Sequence, residues 1–410
     1  MSRPNYGPPY YDLGIGQMVV DWEDQRVNPE RLLRDRLNKV KQVLKEREVD
    51  AVFCFAWENV RYLTGFRFHL WPVIRFGFTE AILGRGMDKP ILYTMDDDHV
   101  KARMSWMVDY VRFAAGSNIE DPVAALKWAK ETKKELEKEG IEPKTIAVDA
   151  WSPAVYEALP KAYPNVKFVD GADLMMQARM IKTEDEIKCL KIACSMTVRG
   201  MTAARELIHK KPGIKECEVL SAAFKEMYDL GSEWTQCSNI VCSGPYTFPY
   251  RRFTSDRIIE PGDFVIVDIG ACYNGYYADF TRVWIAGDVE PSREQKEIFM
   301  RSYNALQAAL EALKPGNTTW DVYQAAYAAG GLHGGFLGHG DGLGALEPPY
   351  LAEFSKDNPV ELKENMVFSI EPFAGKVGVG GVRLEQNAVV RAGGCEIISK
   401  YPFEESLFIR

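Results

Sequence analysis

The sequence has no long apolar run, no paired-cysteine motif and no excess of basic charge, and each shortage removes a class of protein. No stretch of about 18 consecutive apolar residues occurs, so a membrane-spanning helix is not expected. The N-terminal Met-Ser-Arg-Pro-Asn-Tyr lacks the basic-then-apolar pattern of a secretory signal, and a cytoplasmic protein is expected. Lys and Arg number 50 against 58 Asp and Glu, a net charge of −8, with no basic stripe of the kind nucleic-acid binding requires. The eight cysteines are scattered without a CxxC pair and read as reduced core thiols. What is present is ordinary for a globular chain of 410 residues: 46% hydrophobic and 26% charged, enough for two or three domains and an ample core.

Against that background, five polar residues stand where unpaired charge is costly. Asp268 ends the apolar run Phe264-Val-Ile-Val, Asp279 follows Gly275-Tyr-Tyr-Ala, His339 sits in Leu337-Gly-His-Gly340, Glu371 follows Met366-Val-Phe-Ser-Ile, and Glu385 follows Gly381-Val-Arg-Leu. Each segment reads as a buried strand or tight turn, and burying several carboxylates costs several kcal/mol apiece unless a cation neutralises them. Four carboxylates and one imidazole form a hard, oxygen-rich donor set that suits Mn, Fe, Co or Zn in a dinuclear hydrolytic centre.

An internal repeat supports the same grouping. Lys211-Pro-Gly213 is followed by Glu218-Val219 and Ala222-Ala-Phe224, and Lys314-Pro-Gly316 by Asp321-Val322 and Ala325-Ala-Tyr327, at an offset of 103 residues. The same offset carries Asp268 onto Glu371, both at the end of an apolar strand, so duplicated halves would bring the two acids together across a pseudo-twofold axis. Upstream, alternating strands (Ala51–Ala56, near 77–83, 90–93, 145–149, 166–169) and helices (from Pro29, and Asp121 to Glu139) read as a mixed α/β domain. Thr183-Glu-Asp-Glu186 is a capping box that opens a new helix. The expected organisation is an irregular arm 1–28, an α/β domain 29–178 and a second domain 179–410.

Taken together, these residues resemble the creatinase, prolidase, aminopeptidase P and methionine aminopeptidase superfamily. The resemblance also includes Asn59-Val-Arg-Tyr-Leu-Thr-Gly-Phe66 and Arg179-Met-Ile-Lys-Thr-Glu-Asp-Glu186, and covers most of the chain. It implies an α/β (α+β) architecture: a creatinase-type N-terminal domain followed by a pita-bread catalytic domain with a curved antiparallel sheet. It also implies two divalent metal ions per subunit, Asp268 on one, Asp279 and Glu385 bridging both, and His339 and Glu371 completing the second. A homodimer is expected because the arm 1–28 and the Phe66–Arg75 loop carry too many large apolar groups to be left in water.

Two departures from the peptidase pattern weigh against peptide cleavage. Peptidases of the family continue the Gly-His-Gly segment to a second histidine, where this chain has Leu346; a further histidine is missing from Ser243-Gly-Pro-Tyr-Thr-Phe-Pro-Tyr-Arg-Arg-Phe253. Losing such a donor to an amide-derived oxyanion is worth about 2.7–4 kcal/mol in a comparable site. Gly231-Ser-Glu-Trp234, His69-Leu-Trp71 and Lys400-Tyr-Pro-Phe403 resemble instead the dimethylsulfoniopropionate lyase branch. The expectation is therefore a metal-dependent lyase or hydrolase that is not a peptidase and takes a small zwitterionic or onium-bearing metabolite. A divergent Xaa-Pro dipeptidase or aminopeptidase with Glu371 as proton shuttle is the alternative, and a non-catalytic binding protein a third. Trp71, Tyr62, Trp234, Tyr246 and Tyr250 would line the onium pocket over their ring faces, walled also by Leu346, with core or interface packing as the competing account of each. Arg251 would bind a substrate carboxylate. Beside the catalytic His339 and Glu371, a proton would be moved by His333 or by Asp341, the latter alternatively bonding His339 or a substrate cation.

Overall fold

The computed structural model describes residues 27–67, 79–94, 98, 100–101, 108, 110–113, 119–211, 213–235, 239–250, 253–330 and 334–409. The chain divides into two compact units that meet in sequence between Arg179 and Met180. Residues 1–26 of the expected arm, and Trp71, Arg251 and His333, lie outside the described residues.

In the N-terminal unit, β1 (Ala51–Cys54), β2 (Thr79–Gly84), β3 (Ile91–Thr94), β4 (Tyr110–Phe113), β5 (Thr145–Val148) and β6 (Lys167–Asp170) form one mixed sheet in the order β4-β3-β2-β1-β5-β6. β1 runs antiparallel to β2 and parallel to β5. Three helices share one start signal: Asn28, Asp121 and Ser152 each cap a backbone amide and precede a proline, opening Pro29–Glu46, Pro122–Lys138 and Pro153–Ala162. The helix Trp57–Thr64 has no side-chain cap of its own. Asp149, just past β5, supplies one from a distance, accepting from the Phe55 amide at 2.7 Å and from Asn59 Nδ2 at 2.8 Å.

The second unit opens on the capping box at Thr183 and Glu186 and is built twice over. Helices Glu184–Lys210 and Glu216–Asp229 precede β7 (Ile240–Ser243), β8 (Phe264–Ile269), the hairpin β9 (Cys272–Tyr273) and β10 (Tyr276–Tyr277), and β11 (Phe280–Ile285). Helices Arg293–Ala312 and Thr319–Gly330 precede β12 (Phe336–Gly340), β13 (Glu347–Ala352), β14 (Val367–Ile370), β15 (Phe373–Lys376), β16 (Gly380–Arg383), β17 (Gln386–Arg391) and β18 (Gly394–Ile397). The first half gives the sheet β11-β8-β7, the second β13-β12-β14-β17-β18, and all their pairings are antiparallel. The β7-β8-β11 order thus recurs as β12-β14-β17, which is the duplication legible in the sequence. The two sheets meet where the Glu385 amide donates to the Thr281 carbonyl at 3.2 Å. Phe264, Phe299, Leu306, Leu337, Phe368 and Leu384 lie in the hydrophobic core of this unit.

Candidate metal centre

The topology explains why five residues spread over more than a hundred positions converge. β8 and β11 pair with Thr281 opposite Asp268, and the hairpin between them turns through Asn274 and Gly275, both at positive φ, as a tight two-residue reversal demands. Asp268 and Asp279 are thereby returned to the same end of the sheet. On the other half, His339 of β12 lies opposite Ser369 of β14, and Glu371 follows that strand with its amide donating to the Leu337 carbonyl at 2.7 Å. Glu385 lies between β16 and β17, its Oε2 accepting from the Thr281 hydroxyl at 2.6 Å.

All five side chains are buried, and their polar atoms face one another. His339 Nε2 is 3.6 Å from Asp279 Oδ2 and 3.5 Å from Glu371 Oε1. Arg383 brings in the other two: its Nη2 pairs directly with Glu371, lies 3.3 Å from Glu385 Oε2 and 3.5 Å from Asp268 Oδ2. Burial, then mutual repulsion between carboxylates, pushes Asp279 and Glu385 well above the usual carboxylate range. Burial works against the Arg383 charge, but Glu371 and Asp268 more than offset it and hold the guanidinium protonated.

Among the described residues, one guanidinium faces four carboxylates and leaves an excess of negative charge, and the oxygens show it. Asp268 Oδ1 and Glu385 Oε1 are buried without a hydrogen-bond partner among the described residues, an arrangement costly unless a cation completes it. Ligand atoms of Asp279, His339 and Glu385 already lie within 4.8 Å of one another. Metal–ligand bonds of about 2.0–2.2 Å require only a small closing of that triangle. The residues fit a divalent metal.

Beside this cluster opens a pocket of about 330 Å³ lined by Phe248, Pro249, Tyr250, Gly334, Phe336, Glu371, Phe373 and Arg383. Tyr250 joins wall to cluster, donating to Asp268 Oδ2 at 3.1 Å, with the Arg383 guanidinium 5.3 Å from its ring centroid. Glu216 fixes the wall from behind, its buried carboxylate accepting from the amides and hydroxyls of Ser243 and Ser255.

Of the aromatic candidates among the described residues, only Tyr250 reaches this pocket. Tyr62 is a core residue of the N-terminal unit, fully buried with its hydroxyl donating to the Ala178 carbonyl at 3.3 Å. Trp234, Tyr246 and Leu346 are each about half exposed and are not among the pocket-lining residues. Asp341 is buried, with its Oδ1 3.5 Å from His339 Nδ1, and is not among the described pocket-lining residues. Sequence reasoning passed over Phe248, Phe336 and Phe373, whose only signal is an aromatic residue within a few positions of a proline or a ligand.

Comparison with known proteins gives the class. The description Metallopeptidase family M24 matches residues 188–392, and Creatinase/Prolidase N-terminal domain matches residues 36–181. The chain belongs to the M24 metallopeptidase family. It is 30% identical over 380 residues to the Xaa-Pro dipeptidase of Pyrococcus furiosus, covering 90% of this chain and 98% of that one. Among solved structures it is similar to an Xaa-Pro dipeptidase from Bacillus anthracis (TM-score 0.75, 26% identity, 90% of this chain and 98% of that one). It is also similar to an X-Pro aminopeptidase from Thermotoga maritima (TM-score 0.72, 28% identity, again 90% and 98%).

These relatives overturn the expectation of a non-peptidase lyase or hydrolase acting on a zwitterionic or onium metabolite. Proteins named as Xaa-Pro dipeptidases share nearly the whole length of this chain, a likeness that the missing histidines and a few lyase-like tetrapeptides do not outweigh. The structure supplies a physical reason: Tyr250 and Arg383 place hydrogen-bond donors beside the carboxylate cluster without any histidine from the Ser243–Phe253 segment. Among the described residues, no helix is long and apolar enough to cross a membrane.

Proposed function

We propose that the protein is a metal-dependent peptidase that cleaves short peptides of the Xaa-Pro type, working in the cytoplasm as a homodimer. The observation that carries this reading is the pocket, whose lining combines the rings of Phe248, Pro249, Tyr250, Phe336 and Phe373 with Glu371 and Arg383. A pyrrolidine ring packs well on such walls. The volume of about 330 Å³ is at the lower end of the range of about 300–1,000 Å³ for small-ligand sites, which favours a dipeptide over a longer chain.

Asp268, Asp279, His339, Glu371 and Glu385 would hold two divalent ions, with Mn, Fe, Co and Zn all compatible with the donor set. Bound there, the ions supply Lewis-acid polarisation of the scissile amide and activation of water. Glu371, on the pocket wall and paired with Arg383, would take a proton from the attacking water and return it to the leaving amine. The Arg383 guanidinium would donate to the charge that develops on the scissile carbonyl oxygen, and the Tyr250 hydroxyl, whose one proton is given to Asp268 in the resting site, would join it on turning away from that carboxylate.

The test is a panel of Gly-Pro, other Xaa-Pro dipeptides and longer Xaa-Pro peptides, assayed with Mn, Fe, Co and Zn in turn beside metal analysis of the same samples. Two ions per subunit and turnover of a dipeptide at about 1–10³ per second are expected. Bound metal without hydrolysis of any of these peptides would refute the peptidase reading. Trp234, Tyr246 and Phe253 leave large apolar groups exposed on the second unit, in keeping with a dimer. A monomer by light scattering at micromolar concentration would refute that part.

A further inference from the structure

His339 Nδ1 faces two acceptors: the Gly340 carbonyl at 3.0 Å and Asp341 Oδ1 at 3.5 Å. Two acceptors favour the tautomer with its proton on Nδ1, which leaves the Nε2 lone pair directed at Asp279 and Glu371, where an ion would sit. A carbonyl alone would set the tautomer. A carboxylate does more, because its charge raises the basicity of the imidazole and strengthens its bond to a metal.

The Asp341 carboxylate is held for this task. It is 1% exposed, and its Oδ2 accepts from Ser369 Oγ at 2.8 Å and Asn387 Nδ2 at 2.7 Å. Those donors lock the rotamer and leave Oδ1 without a hydrogen-bond partner among the described residues, aimed at the imidazole. Asn387 extends the same network to a second ligand, its Oδ1 accepting from the Asp279 amide at 3.0 Å.

We infer that Asp341 is a positioning residue that orients and electronically strengthens His339 as a metal ligand, with Ser369 and Asn387 holding it in place. The inference rests on His339 being a ligand, as proposed above, and goes beyond that reading by assigning a determinant of metal affinity outside the ligand set. The reaction would feel it only through the metal.

The experiment is metal binding, not turnover. Metal-free wild type, Asp341→Asn and Asp341→Ile are titrated with Mn(II) and Co(II) in competition with a chelating indicator, and the Co(II) absorption spectrum and thermal midpoint are recorded for each. Both substitutions should weaken the binding of one ion by about 10–100-fold and shift the Co(II) spectrum. A merely structural role would lower the thermal midpoint and leave the spectrum unchanged. Should the Asp341 variants fail to fold, Ser369→Ala removes one of the two donors that aim the carboxylate and should give a smaller weakening in the same direction. Wild-type affinity and an unshifted spectrum in every folded variant would overturn the inference. A wild type that binds neither ion would instead overturn the metal-centre reading on which it rests.

Discussion

The Tyr250 hydroxyl donates to Asp268 Oδ2 at 3.1 Å, so an aromatic wall of the pocket and an acid of the metal centre are joined by one hydrogen bond. Tyr250→Phe keeps the ring and removes the donor. If that hydroxyl stabilises charge on the scissile carbonyl, kcat for an Xaa-Pro dipeptide falls by about 10²-fold while KM changes little, since the apolar contact survives. Steady-state kinetics decide it, and a kcat equal to wild type would assign Tyr250 to packing alone.

Arg383 contacts Glu371, Asp268 and Glu385 together. Arg383→Met leaves those carboxylates facing one another, and breaking buried pairs in this way costs about 3–5 kcal/mol. The loss should be largest in the metal-free protein, because divalent ions replace the missing positive charge. Thermal unfolding with chelator and with Mn(II) is therefore expected to show a larger metal-dependent rise in the variant than in wild type. Equal rises would mean that Arg383 does not share the electrostatic task of the metals.

Much of the centre was legible because its members break a local rule, and much of the rest was not because its members obey one. Asp268 and Glu371 stand out as acids at the ends of apolar strands, and the repeated Lys-Pro-Gly segment relates them before any coordinates are known. Phe248, Phe336 and Phe373 have no such signature, since an aromatic residue beside a strand is most often core. Their role depends on β12, the β15-β16 ribbon and the turn Gly244–Thr247 arriving at one place, which is a property of tertiary structure. The helix Trp57–Thr64 was missed for a related reason: its start is secured by Asp149, about ninety positions away. Asp341 is the instructive intermediate, an acid whose options in sequence already include a bond to His339 and whose burial beside the imidazole only the fold reveals.

Asp149 also gives the N-terminal unit a pH dependence. Burial, partly opposed by the hydrogen bonds from Phe55 and Asn59, raises its carboxyl from the ordinary 3.8 to about 7. Between those values the folded unit keeps a proton that the unfolded chain has released, so this group's contribution to stability is full below about pH 4 and is lost as pH rises towards 7. A carbon-13 titration of the Asp149 carboxyl should show a midpoint near 7, and urea midpoints of wild type should fall more between pH 5 and pH 8 than those of Asp149→Asn. A carboxyl midpoint in the ordinary range would show that the amide donors win over burial.

Gly338 provides the sharpest test of how closely strand packing sets the metal centre. A Cβ at this position would overlap the Ser369 carbonyl oxygen and lie 3.2 Å from Ile370 Cα, because β12 and β14 place Gly338 directly opposite Ile370. Gly338→Ala must therefore push apart the two strands that bear His339 and precede Glu371, whose nearest polar atoms are only 3.5 Å apart. Overpacking of this kind costs about 1–3 kcal/mol, and because the strain falls beside two ligands, metal affinity should drop together with stability. Gly393→Ala, where an added Cβ meets nothing within 4 Å, serves as the control and should stay within about 0.5 kcal/mol of wild type. Unfolding midpoints and metal titrations on both variants check the argument. A Gly338→Ala protein with normal metal affinity, however destabilised, would show that the ligands tolerate strand separation and that the centre is positioned by its loops.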